Sequence, residues 1–230
     1  MGSIKLLGIV HADPDAERRV ERALSREQPD VITVELHPSE EKKLNADWLA
    51  PEIDERIDRI TAQLNSDAQQ LLQLFTRTQG KEFYTAIRFA KRRDLPYFLI
   101  DTRRTEQAQY IARTLLDQRD EDIIHAIEET SLELQREKIR NMFALIALLH
   151  ASNDMDAETT LLDQCRFITQ EGRDAVPARA LNLLSAMYRG KILHVCGAAH
   201  TLNDTKGESL YSRLRRGGPA NVSRGLAIDL

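Results

Sequence analysis

Apolar and polar positions alternate along this chain in two rhythms. Ile4 to Val10 is an apolar run broken only by Lys5 and Gly8, which predicts a strand. Asp13-Pro14 then reads as a helix start, with Asp13 at the N-cap, and Ala16, Val20, Ala23 and Leu24 recur at helical spacing. Pro29-Asp30 ends that helix, and the β-branched run Val31 to Leu36 predicts a second, buried strand. Two strands joined through one helix are normally parallel. Ile53, Ile57, Ile60 and Leu64 form one helical stripe, continued by Leu71, Leu72 and Phe75. Beyond Gly80, Phe83, Ala86, Ile87 and Ala90 line another helix. Asp94-Leu95-Pro96 stops it, and Tyr97 to Ile100 predicts a third parallel strand ending at Asp101.

The middle reads as helix. Ala108, Ile111, Ala112 and Leu115 share a face, and one periodic pattern runs from Asp120 to His150. Helices also fit Ala157–Glu171 and Val176–Tyr188, with Asn153–Asp156 as a loop or hinge ahead of them. Ile192 to Cys196 predicts a fourth strand. Thr205 to Arg216 reads as a helix closed by Gly217-Gly218, and Val222 to Leu230 as a last, half-exposed strand. The pattern therefore predicts a single α/β domain over residues 1–230, with a mainly parallel central sheet and flanking helices. A long helical insertion, at about 105–190, separates the first three strands from the C-terminal ones.

Composition narrows the class. The chain has 230 residues, 42% of them apolar and 30% charged, and is long enough to bury a core without disulfides. Its net charge of −4 is the wrong sign for a non-specific nucleic-acid binder. Cys165 and Cys196 form no CxxC pair, which fits a reducing compartment. The longest apolar run, Met142 to Leu149, is far short of the roughly 20 residues a membrane span needs, and no leader pattern opens the chain. A cytoplasmic protein without membrane or nucleic-acid partners is expected.

Two strands end alike. Gly8-Ile9-Val10-His11 and Gly197-Ala198-Ala199-His200 each place a glycine three residues before a histidine. Parallel open sheets bind ligands beyond the carboxyl ends of their strands, so both histidines would rise from one edge. Glu35 follows Val34 near the end of the second strand, where an apolar residue would be expected, and a buried carboxylate must be paired or metal-bound. Two histidines and a glutamate are a common ligand set for a catalytic metal. The same three residues also suit strand-end hydrogen bonding with no site at all.

At these residues the chain resembles the TraB/PrgY family, within the wider group of Tiki, GumN-like and erythromycin-esterase proteins. The resemblance is carried by Gly8-Ile9-Val10-His11, Pro29-Asp30 with Val34-Glu35-Leu36, Gly80-Lys81-Glu82-Phe83, Leu99-Ile100-Asp101 and Val195-Cys196-Gly197-Ala198-Ala199-His200. Glu137 to Arg140-Asn141 is a weaker match to the family's Glu-Arg-Asn/Asp element. Departures accompany it: no arginine follows Glu35-Leu36, where only Lys42 or Lys43 could substitute, and Thr102 separates Asp101 from Arg103. Residues from about Asn153 to Tyr188 look like extra helical material.

The resemblance implies hydrolysis of a peptide or ester bond. Tiki proteins are metal-dependent peptidases, erythromycin esterases use histidine without metal, and TraB and PrgY proteins shut down peptide pheromones. The leading expectation is a metal-dependent hydrolase, a peptidase, with manganese, cobalt or zinc on His11 and His200, and Glu35 as ligand or general base. Glu82 and Asp101 would orient a histidine through its other nitrogen. Arg103 and Arg140 would hold a substrate carboxylate or oxyanion, and Gly8 and Gly197 would admit close approach. The alternatives are a metal-free, esterase-like hydrolase or a protein that sequesters a peptide or small molecule without turnover. The long helical run also makes a homodimer an expected partner state.

Overall fold

The computed structural model describes residues 1–39, 41, 51–76, 80–101, 117–164, 173–218 and 221–228. Five parallel strands form one sheet: β1 (Ser3–Ile9), β2 (Val31–Val34), β3 (Tyr97–Leu99), β4 (Lys191–Gly197) and β5 (Val222–Leu226), in the order β3-β2-β4-β1-β5. The two His-ended strands are neighbours at the centre, with Gly8 opposite Cys196 and Ile9 opposite Gly197. β4 lies between β1 and β2, so these two strands, consecutive in sequence, are not adjacent in space, whereas β2 and β3 pair directly.

Nine α-helices flank the sheet among the described residues. On one face α1 (Ala16–Glu27) and α4 (Lys81–Arg92) pack Val20, Leu24, Phe83 and Ile87 against Leu7, Ile32 and Val195. On the other, α8 (Ala175–Met187) and α9 (Leu210–Gly217) bring Leu181, Leu184, Leu210 and Leu214 onto Ile4, Leu6 and Ile192. These alternate strand residues feed two opposed cores because successive side chains point to opposite faces.

Helix ends are set by short polar side chains where the periodic pattern alone predicts continuity. The 53–75 stripe is divided into α2 (Pro51–Thr61) and α3 (Ser66–Thr76), because Asn65 Oδ1 accepts from the Asp67 and Ala68 amides at 3.1 and 3.0 Å. The long 120–150 run is likewise divided into α5 (Asp120–Glu128) and α6 (Leu132–Ser152) by Ser131, whose hydroxyl accepts the Leu134 amide at 3.0 Å. Asp13 does not cap α1. It accepts the Asp15 amide at 2.9 Å in a turn, and the helix starts at Ala16. The helix predicted from Thr205 begins only at Leu210, because Asp204 gathers the Glu208 and Ser209 amides into a loop that holds its carboxyl down at about 2. The pattern at 108–115 lies outside the described residues.

α6 crosses the carboxyl end of the sheet. Ile139, Phe143, Ile146 and Leu149 pack there against α7 (Met155–Gln164) through Leu162, and against Ala198, Leu202 and Leu226. The other side of α6 exposes Leu145 and Leu148, at 43% and 67%. No described helix is long and apolar enough to cross a membrane.

Candidate active site at the carboxyl edge of the sheet

Four adjacent strands deliver side chains to one edge. β2 continues past Val34 by one more ladder bond, the Glu35 amide donating to Val195 O at 3.0 Å, which sets Glu35 beside the end of β4. β3 continues in the same way, the Asp101 amide donating to Leu36 O at 3.0 Å. His11 follows β1, and His200 sits on the 3-10 turn Ala198–Thr201 that follows β4.

The two glycines of the repeated motif serve each other's histidines. A Cβ on Gly197 would lie 3.3 Å from His11 Nε2, 3.5 Å from His200 Cδ2 and 3.6 Å from Glu35 Oε2. The three candidate residues therefore converge over this one backbone position. A Cβ on Gly8 would lie 3.0 Å from Ala198 Cα and 3.1 Å from Thr201 Cγ2, so Gly8 lets the turn carrying His200 pass across β1. The first motif makes room for the second turn, and the second motif makes room for the first histidine. Backbone φ is not the reason: at Gly197 it is −56°, which any residue adopts.

Each histidine has its own carboxylates. His11 Nδ1 donates to Glu82 Oε1 at 2.9 Å, and the ring stands edge-on to Phe83 with centroids 6.0 Å apart. Burial disfavours its charge, but the Glu82 carboxylate outweighs this and raises the His11 pKa above the ordinary imidazole value. Ala12, directly after it, is held at φ 57°, a left-handed conformation costly for a residue with a Cβ. His200 donates from Nδ1 to Asp174 at 2.7 Å and from Nε2 to Glu35 Oε1 at 3.0 Å. Burial opposes its charge too, yet Glu35 and Asp174 hold its pKa well above the ordinary value. Glu35 accepts the Gly197 amide at 2.7 Å; despite burial, His200 and Arg173 keep its carboxyl well below the usual range. The two rings thus differ: His200 has both nitrogens facing carboxylates, which favours its imidazolium form, while His11 keeps Nε2 open, its side chain 42% exposed.

Arg173 and Asp174 are members of this cluster that the sequence pattern does not single out. They come from the stretch read as extra helical material. Arg173 Nη2 donates to Asp101 Oδ2 at 2.6 Å and also to Glu35 Oε1. Asp174 occupies the N-cap position of α8 but makes no capping bond, because its carboxylate faces His200. Aspartate before a helix reads as a cap, and nothing in its spacing reveals that it faces a sheet edge.

Other predicted residues fall in different places. Glu82 orients His11 as expected of it, whereas Asp101 binds Arg173 rather than a histidine. Arg140 pairs with Glu133 on the exposed side of α6 at 2.8 Å. Arg103, Lys42 and Lys43 lie outside the described residues. His194 is buried with Nδ1 2.9 Å from Thr33 Oγ1, and burial pushes it down to about 4. Arg224 is buried against Glu158, bonds Thr201 O at 3.0 Å, and so steadies the turn that bears His200.

The donors suited to a metal are engaged with one another. Both His200 nitrogens carry protons to carboxylates, Glu35 is filled by Gly197, His200 and Arg173, and Asp101 binds Arg173, while His11 Nε2 is open. Among the described residues no three His, Cys, Asp or Glu side chains are placed to hold an ion. The arrangement therefore does not fit a bound metal without rearrangement. Comparisons with family models, curated proteins and solved structures find no significant match, so the likeness to TraB/PrgY rests on the short motifs themselves.

Proposed function

We propose that this chain is a hydrolase of peptide or ester bonds in which His11 acts as general base without a metal ion. The observation that supports it most is the asymmetry of the two rings. One histidine is saturated and cationic, and the other is anchored by Glu82 with its second nitrogen open over Gly197.

In this reading His11 Nε2 takes a proton from water as the water oxygen bonds to the substrate carbonyl carbon. Glu82 stabilises the imidazolium that results. The bond to the leaving nitrogen or oxygen then breaks, and that atom receives the proton from Nε2. His200 and Arg173 hold Glu35 beside Gly197, and that glycine leaves space for the reacting group above β4.

The test is turnover across a panel of peptides and esters, with the pH dependence of the wild type and of Glu82→Gln. The base must be neutral, so activity rises with pH through the His11 pKa. Removing the carboxylate lowers that pKa, which moves the acid limb to lower pH and reduces the rate on the plateau. His11→Ala should cost about 10²–10⁴-fold. Full activity in His11→Ala would end this reading, and tight ligand binding with no turnover on any substrate would favour sequestration instead.

A further inference from the structure

We propose that Arg173 is the built-in cation of this site, standing where a divalent ion bridging Glu35 and Asp101 would have to sit, so that the native chain excludes metal there and acquires a metal site when Arg173 is removed. The inference rests on the site as a reaction centre only for its catalytic meaning; its geometry stands alone.

One guanidinium nitrogen, Nη2, touches a carboxylate oxygen of each acid, 2.6 Å from Asp101 Oδ2 and in contact with Glu35 Oε1. The Nε of the same side chain reaches Asp101 Oδ1 at 3.4 Å. The Glu35 oxygen that meets Arg173 also lies 3.0 Å from His200 Nε2. Protons from His200 and Arg173 thus fill the place between the two acids. All four side chains are nearly inaccessible, between 5% and 11% exposed.

Two carboxylates sharing a buried place cannot both stay ionised without a positive partner. Arg173 is the partner that both acids share, beside the His200 contact to Glu35, and burial does not displace its proton, because Glu35 and Asp101 hold its pKa above the ordinary guanidinium value. Taking the guanidinium away leaves a cavity bounded by two carboxylates and an imidazole, a mixed oxygen and nitrogen set that binds first-row divalent ions. Arg173 is accordingly a positioning residue: it acts on the reaction through Glu35.

Wild type, Arg173→Ala and Arg173→Ala/Asp101→Asn are to be loaded with cobalt(II), dialysed, and read by elemental analysis and visible absorption. The expected result is negligible retained cobalt in the wild type, near-stoichiometric cobalt with ligand-field bands in Arg173→Ala, and loss of both signals in the double variant. Recovery of folding of Arg173→Ala on adding cobalt would count the same way. Stoichiometric cobalt in the wild type that Glu35→Gln removes would overturn the inference. So would a folded Arg173→Ala that stays cobalt-free, or one that remains unfolded with and without the ion. The readout needs no substrate, so a failure here is distinguishable from a failure of His11 as the base.

Discussion

Asp174→Asn tests the buried charge chain directly. The Asp174 oxygens lie 2.7 and 2.9 Å from His200 Nδ1, and both side chains are under a tenth exposed. Removing one partner of a buried ion pair costs about 3–5 kcal/mol, because the other charge is left uncompensated. Here Glu35 still holds His200 at 3.0 Å, so the expected loss is somewhat smaller than that range, about 2–4 kcal/mol. For a domain of this size each kcal/mol moves the melting temperature by about 2–4 °C, which predicts a drop of about 5–15 °C near neutral pH. The sign with pH follows from the histidine. Its folded pKa is raised, so the stabilisation is complete below the unfolded value of 6.5 and is lost as pH rises through the folded value. The gap between wild type and variant should therefore be widest at neutral and mildly acidic pH and close on the alkaline side. Thermal unfolding by circular dichroism over a pH series, with the His200 ring titrated by NMR, measures both quantities. A variant with an unchanged melting temperature and an unchanged His200 titration would refute the coupling described here.

Three further outcomes follow from the same geometry. Gly8→Ala should destabilise by about 1–3 kcal/mol, since its Cβ meets the Ala198 backbone at 3.0 Å; Gly197→Ala should fold nearly normally yet lower turnover by crowding His11 Nε2 at 3.3 Å. Urea unfolding and kinetics separate the two effects. Arg224→Met strands the fully buried Glu158 and should cost about 3–5 kcal/mol, whereas Glu158→Leu/Arg224→Met should cost much less, as a double-mutant cycle would show. His194 has a depressed folded pKa of about 4, so stability falls as pH drops below 6.5; Thr33→Val/His194→Leu should shift the acid-unfolding midpoint lower, and an unchanged midpoint would count against it.

Sequence alone was sufficient for the elements that are local. Strand character came from β-branched and apolar runs, and helix faces came from the 3.6-residue period. The edge of the sheet that gathers the candidate site followed from two glycine–histidine strand ends. A parallel fold places all carboxyl ends together, so His11, Glu35, Asp101 and His200 could be assigned to one edge before any coordinates. Helix breaks at Asn65 and Ser131 were harder, because a polar residue that caps and one that merely faces solvent look alike until its hydroxyl or amide is seen to bond.

Only the tertiary structure decided who pairs with whom. The insertion of β4 between β1 and β2 is a choice of strand order, which no local pattern encodes. That choice puts Gly197 beneath the His11 ring and turns two weak motifs into one interlocked unit. The same holds for Arg173 and Asp174, polar residues at a helix start, whose neighbours along the chain are unrelated to their neighbours in space. Their pairing with Asp101, Glu35 and His200 spans 26 to 138 residues of sequence. Charge compensation inside a protein depends on distance through space and on exclusion of water. The sequence could show that Glu35 needed a partner, but the packing of a distant segment determined that the partner is a histidine and an arginine.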